Sequence, residues 1–351
     1  MSANIRFGLG GLAAQSINDD RVAYGREAAL LVELATEAEA TGFDSVWVTE
    51  HHVSSDGYLP APLVALGALA VVTRRVQLGT NVALAPLFQP IRLAEEAAFL
   101  DQLSKGRLIL GLGLGYRPEE FAAFGLRAEP GERVARLLSC LEVLHAAWGG
   151  GGVPVGTGSE ALSVPVRPLP WAIAGPPIWL GAWVEAGVRR ARRIGDGYIA
   201  PVGTVKDLGR RLTWLQEEGP LDDFPVAISL NGFVGGADAW DRVARGAEHV
   251  LGNYRRWYGA SSDSATTGKG RIAPKTAGPP PHFVVGTPDK CVEALGPLCR
   301  FLSSNVRHGH ILIRLAFPGL SEEDAVRSVH LFGTEVIPAL REMMASHVDS
   351  N

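Results

Sequence analysis

Three strand ends in this sequence carry side chains able to do chemistry. Glu50, His51 and His52 follow the apolar run 45–49, which reads SVWVT. An imidazole titrates near neutrality, so a histidine held at a strand end can take up or hand over a proton. Histidine and glutamate are also metal ligands, but neighbours on an extended chain point to opposite sides. His51 and His52 therefore cannot both face one ion unless the backbone turns, and no metal is assigned to them. Gly111, Gly113 and Gly115 close a second apolar run, 108–112. Their G-x-G-x-G spacing lacks the third glycine of the dinucleotide fingerprint, and Tyr116 to Pro118 would interrupt the helix that receives a pyrophosphate. Lacking side chains, they can form a plain turn or leave room for a flat cofactor to approach the backbone. Leu180, Gly181, Ala182 and Trp183 lead from a third run into a helix bearing Arg189, Arg190, Arg192 and Arg193. A helix N-terminus offers free N–H groups and the positive end of a dipole, which suits a phosphate. The four arginines read mainly as a solvated helix face.

These corners need a scaffold that gathers strand ends in one place, and the stretch 76–121 supplies its repeating unit. Residues 76–84 are rich in Val, Leu and Thr and too short for a globular helix, whereas Ile91, Leu93, Ala94, Ala97, Ala98, Leu100 and Leu103 recur at the helical period. Lys105 and Gly106 end that helix as a cation and a breaker. Residues 108–112 are apolar on both faces, as in a parallel sheet covered on each side. Such a strand–helix–strand unit is right-handed. Further strands are predicted at 5–9, 45–49, 177–180, 197–200, 226–231 and 309–313, with helices between them. Eight alternations make a (β/α)8 barrel, one α/β domain over 1–351 with an insertion after strand 7. In such a barrel, polar residues at the C-terminal strand ends point at the site. The inserted residues 259–281 are Ser, Thr, Gly and Pro without periodicity and include Lys269, Arg271 and Lys275, which predicts a mobile lid.

The segments LGTNV (78–82), Pro86 with Gln89 and Pro90, LAEEAAFLDQLSKGRL (93–108) and GLGLG (111–115) resemble the bacterial luciferase-like monooxygenases. The resemblance is strongest over 43–124, recurs at 177–198 and returns weakly from 285 onward. It implies a TIM barrel with its site at the C-terminal strand ends and a flavin or deazaflavin as redox cofactor. It places the family's E-H-H motif on Glu50, His51 and His52, with His51 the catalytic histidine and Glu50 a catalytic residue beside it. Asn81, Val82, Gly111, Gly113, Gly181, Ala182 and Trp183 would shape the cofactor mouth, and a non-proline cis peptide is implied at Asn81–Val82. Trp183, Val184 and Leu114 depart from the family's phosphate-binding residues, which implies loosely held FMN. The activity implied is a flavin-dependent monooxygenase that uses reduced FMN and dioxygen on a small organic substrate, with a separate flavin reductase as partner. Hydride transfer with coenzyme F420 and non-catalytic flavin binding stand as alternatives. The helices at 60–73 and 91–103 are more apolar than solvent-facing helices need be, and the family commonly dimerises there, so a homodimer is expected.

Composition narrows the classes. With 351 residues, 46% of them hydrophobic, the chain can bury a large core. A formal net charge of -4 provides no basic field for nucleic acid or an anionic membrane. The start, MSANIRFGLGG, has no apolar run behind a basic segment, and no stretch reaches about 18 apolar residues. A soluble cytoplasmic protein is expected. Cys140, Cys291 and Cys299 are too few and too scattered for a disulfide framework or a zinc site and read as small buried hydrophobes.

Overall fold

Alternation along each short apolar run decides where its side chains go. Val46 and Val48 join the core shared with the outer helices, while Trp47 between them turns to the barrel interior. Leu108, Leu110 and Leu112 likewise face outward and Ile109 inward, and Ile178 and Leu180 flank an inward Trp179. The structure, a computed structural model, describes residues 4–155, 162–260, 278–280 and 282–348. Its eight parallel strands are β1 (Asn4–Leu12), β2 (Ser45–Val48), β3 (Gln77–Thr80), β4 (Leu108–Gly113), β5 (Ile178–Gly181), β6 (Gly197–Ala200), β7 (Val226–Val234) and β8 (His308–Arg314). Each pairs with the next, and β8 pairs back onto β1 with Phe7 opposite Ile311, so the barrel is closed. Closure pairs every barrel strand on both sides. Inside, the Trp47 and Trp179 rings lie 5.4 Å apart among Ile109, Ile199, Ala227 and Leu312. A Cβ on Gly79 would stand 2.1 Å from Trp47, so that strand position admits only glycine.

Helices α1 (Arg21–Ala40), α2 (Pro62–Val72), α3 (Pro90–Ser104), α4 (Pro118–Ala123), α5 (Pro130–Trp148), α6 (Glu185–Ile194), α7 (Val205–Gln216), α8 (Ala239–Ala260), α9 (Pro288–Asn305), α10 (Glu322–Leu331) and α11 (Ile337–Val348) accompany the strands. Their ends follow local chemistry. The Asp20 carboxylate accepts from the Ala23 N–H at 2.8 Å to start α1, and the Gln89 side chain accepts from the Arg92 N–H at 2.9 Å to start α3. Lys105, left-handed at φ 58°, and Gly106 at φ 79° stop α3 where the sequence placed the break.

Three expectations change. The run 76–84 is not one strand: β3 stops at Thr80, the Asn81–Val82 peptide is cis, as the resemblance implied, and Ala83–Leu84 then pairs with Leu112 and Gly113 of β4. The Thr80 hydroxyl donates to the Gly111 carbonyl at 2.6 Å and the Asn81 N–H to the Val48 carbonyl at 2.7 Å, which turns the chain across the barrel mouth. The glycine-rich run 149–158 reads in sequence as a flexible connection, but Val153–Val155 within it pairs antiparallel with Leu162–Val164. An unforeseen strand, Phe283–Gly286, runs beside the upper half of β7 from Asn231 to Val234. Of the expected lid, residues 261–277 and 281 lie outside the described residues. Cys140, Cys291 and Cys299 are buried free thiols pushed up to about 12 by burial, as small core residues should be. No helix among the described residues is long and apolar enough to cross a membrane.

Candidate active site

A cavity of about 740 Å³ opens at the C-terminal ends of the strands. At the exit of β2 Glu50 and His51 both line the cavity, while His52 does not and packs on Phe124. His52 Nε2 lies 2.8 Å from Glu50 Oε1, while Glu50 Oε2 accepts from the Leu84 N–H at 2.5 Å. Burial pushes the Glu50 carboxyl up, and His52 and the Leu84 N–H offset that only in part. His51 lines the cavity, with its Nδ1 2.7 Å from Glu120 Oε1. Glu120 comes from α4, whose first turn is set by Pro118, and is wholly buried. The same Oε1 accepts from the His52 N–H at 2.9 Å and from Arg117 at 3.2 Å. Burial alone would raise the Glu120 carboxyl, but His51, the His52 N–H and Arg117 outweigh it and hold the carboxyl below its ordinary range. An ionised Glu120 takes the Nδ1 proton of His51 as a hydrogen bond, which leaves Nε2 as the basic nitrogen. Nε2 makes no protein hydrogen bond among the described residues.

Rings surround this imidazole. Tyr58 lies edge-on at 4.7 Å, Tyr116 at 5.7 Å, Tyr254 at 5.9 Å, and Trp257 sits tilted at 4.6 Å. Tyr254, Trp257 and Tyr258 all come from α8, which carries them over the mouth as a roof, and Tyr116 stacks on Tyr258 at 4.7 Å. The Arg117 guanidinium covers Trp257 at 4.3 Å and donates to the His52 carbonyl at 2.9 Å. Burial raises the Tyr116 and Tyr254 phenols well above their usual value, so the roof stays neutral. Beneath α8, buried Asp56 accepts from Gln15 and Asn253 at 2.7 Å each, His249 at 2.8 Å, Ser54 at 2.5 Å and the Tyr58 N–H at 3.2 Å.

Of the residues expected at a cofactor mouth, Asn81, Val82, Gly113, Gly181, Ala182 and Trp183 line the cavity. Gly111 does not. A Cβ there would fall 1.8 Å from the Thr80 carbonyl oxygen, so this glycine admits the crossing backbone of β3 and not a ligand. Gly113 and Gly181 face the Val82 side chain, to which their added Cβ atoms would come within 2.4 and 2.7 Å. The space they leave is filled by Val82. Among the four arginines, Arg189 and Arg193 pair with Glu218, and Arg192 donates to the Pro220 carbonyl over the Phe224 ring. Only Arg190 of the four turns to the cavity, joining Thr204 and Arg211 of the neighbouring β6 sector.

Sequence reasoning missed Glu120, Arg117, Asp56, Tyr58, Tyr116, Tyr254 and Trp257. Glu120 is 69 residues from its partner His51, and nothing local marks it as that partner. The i, i+3, i+4 spacing of Tyr254, Trp257 and Tyr258 is a signal that was available, since it puts three rings on one helix face.

A model of the luciferase-like monooxygenase family matches residues 9–298. The protein y4wF of Sinorhizobium fredii is 34% identical over 248 residues, 69% of this chain and 70% of its own length. The F420-dependent glucose-6-phosphate dehydrogenase of Amycolatopsis mediterranei is 35% identical over 185 residues, 51% of this chain and 55% of that enzyme. The chain thus spans about half the length of several curated relatives it matches, 46% in the case of a second Sinorhizobium fredii protein. Among solved structures, the oxygenating constituent of 3,6-diketocamphane monooxygenase from a Pseudomonas putida plasmid, in complex with FMN, superposes with a TM-score of 0.75 at 19% identity, covering 96% of this chain and 99% of that one. That likeness is one of fold.

Proposed function

Because the chain belongs to the luciferase-like monooxygenase family, we propose that it is an oxidoreductase that uses reduced FMN and dioxygen to oxidise a small organic substrate. The observation that carries this reading is His51 on the cavity wall, backed by Glu120 and ringed by Tyr58, Tyr116 and Tyr254 of the same cavity. Its volume of about 740 Å³ lies in the upper part of the range of about 300–1,000 Å³ for small-molecule sites, room for a flat cofactor with a substrate against it. The donor set suits FMN. Helix α6 starts at Val184 without a side-chain cap, and Arg190 lines the cavity with no acidic partner among the described residues, so a phosphate meets free N–H groups and a cation. Asn81, Val82, Gly113, Gly181, Ala182 and Trp183 would hold the rest of it.

FMN, when bound and reduced, supplies the electrons that activate dioxygen. The protein's own part is protonic and steric. His51 Nε2 takes up or returns one proton at the cavity wall, and the Glu120 carboxylate fixes its tautomer and stabilises the imidazolium. The rings of α8 keep bulk water from that nitrogen. A separate reductase would deliver the reduced FMN. A second reading, hydride transfer with reduced coenzyme F420, is favoured by the identity to the F420-dependent glucose-6-phosphate dehydrogenase.

Anaerobic mixing with reduced FMN followed by dioxygen, and in parallel mixing with reduced coenzyme F420, separates the readings. Saturable binding of reduced FMN, weak enough for the cofactor to exchange, and a slowed, protein-dependent reoxidation are expected. Oxidation of reduced coenzyme F420 without any effect on FMN would overturn the proposal, and stoichiometric binding without turnover of either would make this a binding protein.

A further inference from the structure

Helix α8 is seated differently from the other barrel helices. Its Ala239, Val243, Ala247, Val250 and Leu251 pack with Phe233, Phe283 and Phe317 in a small cluster separate from the main core. From Val250 onward the helix borders the cavity, to which it contributes Tyr254 and Tyr258, and it sets Trp257 against His51. Apolar packing is non-directional and does not by itself fix the rotation or register of a helix. A buried carboxylate with its donors in place does, because each hydrogen bond has a direction and leaving one unmade is costly.

Asp56 is that carboxylate. Its Oδ2 accepts from His249 at 2.8 Å and Asn253 at 2.7 Å, one helical turn apart on α8, and from Gln15 of the loop after β1 at 2.7 Å. Its Oδ1 accepts from Ser54 and from the Tyr58 N–H, within the loop that also carries His51. The Gln15 amide oxygen in turn accepts from Arg314 at the end of β8, at 3.2 Å. Next along the same helix, the Tyr254 and Tyr58 hydroxyls meet at 3.0 Å. Burial would raise the Asp56 carboxyl, but Ser54, His249, Gln15 and Asn253 outweigh it and keep it ionised.

We propose that Asp56 is a positioning residue, which registers α8 against the β2 exit and so sets the aromatic roof, Trp257 above all, over His51. The network spans the loops after β1 and β2, helix α8 and the end of β8. This rests on reading the cavity as the catalytic one. Its test uses neither cofactor nor turnover, so a failure of the FMN reading leaves it standing or falling separately.

The reporter is Trp257, isolated by subtracting the fluorescence of a Trp257→Phe protein from that of the same background with Trp257 present. In the unsubstituted protein the Trp257 signal should be shielded from acrylamide. With Asp56→Asn, which keeps the size but presents an amide to the facing donors, the signal should shift to the red and lose that shielding. His249→Gln retains an N–H for Asp56 and should preserve shielding, whereas His249→Leu should lose it, with cooperative melting in both. The His249 pair also carries the test should Asp56→Asn fail to fold. Unchanged shielding in Asp56→Asn, or equal behaviour of His249→Gln and His249→Leu, would overturn the proposal.

Discussion

Two histidine–glutamate pairs cross at the end of β2, and that crossing decides which imidazole meets the cavity. His51 is bound to Glu120 and faces the rings, while His52 is bound to Glu50 and packs on Phe124 at 4.7 Å. His51→Ala is expected to lower turnover by roughly 10²–10⁴, the range for a general acid–base group, while His52→Ala costs stability more than rate. Rates at saturating cofactor and matched melting temperature check this, and the reverse order would show that the site is registered one residue off. Glu120 gives a pH signature. Its folded carboxyl is held below the ordinary range, so the fold favours the ionised form. That contribution is present above the unfolded carboxylate value of about 4.3 and is lost as pH falls through the lower folded value. Glu120→Gln should be destabilised near neutral pH by about 1.5–3 kcal/mol, the scale of hydrogen bonds to charged groups, with the gap to wild type closing in acid. Calorimetric melting at neutral and acid pH measures it, and a gap of constant size would remove the ionised Glu120 from the account.

Single elements here do two jobs on two faces. Helix α6 turns Arg189 and Arg193 to Glu218 on its outer side, and Arg190 to the cavity. If Arg190 holds the phosphate, Arg190→Ala should weaken FMN binding by roughly 10- to 100-fold, as loss of a charge-assisted hydrogen bond does, and leave riboflavin binding unchanged. Arg193→Ala, whose salt bridge is exposed, should affect neither ligand. Titrations that found FMN and riboflavin bound equally by the wild type would dismiss this phosphate site. Helix α4 also works on two fronts, because its first turn places Glu120 under His51 and Phe121 in the core. In six residues it has no hydrophobic period to announce it, and from sequence the stretch 117–124 is only a segment between a strand and the longer α5.

At the scale of the molecule, the outer surface is not uniformly polar. Val64 and Val71 on α2 are 76% and 52% exposed, and Phe99 and Leu103 on α3 are 62% and 40% exposed. Helices α2 and α3 pack side by side, and exposed apolar residues on adjoining helices are of the kind that a second copy covers. A homodimer through these helices is the expected outcome in sedimentation at micromolar concentration, and Val64→Glu with Phe99→Glu should give a folded monomer. A wild-type protein that sediments as a monomer throughout would sink the idea.

The sequence by itself determined the barrel, because eight short apolar runs separated by helical periods admit few other closed arrangements. It also determined the β2 exit, since strand alternation separates His51 from His52 wherever the strand lies, and the end of α3, since Lys105 and Gly106 are local stop signals. Only the tertiary structure decided what these residues meet. Glu120 beneath His51, α8 above it and Asp56 tying that helix to the β2 exit join segments up to about two hundred residues apart, and side-chain chemistry carries no address over that distance. The glycines show the same limit. Gly111, Gly113 and Gly181 are legible as places where something comes close, but whether that is a cofactor, the backbone at Thr80 or the side chain of Val82 depends on where β3 breaks, and three-dimensional packing alone fixes that.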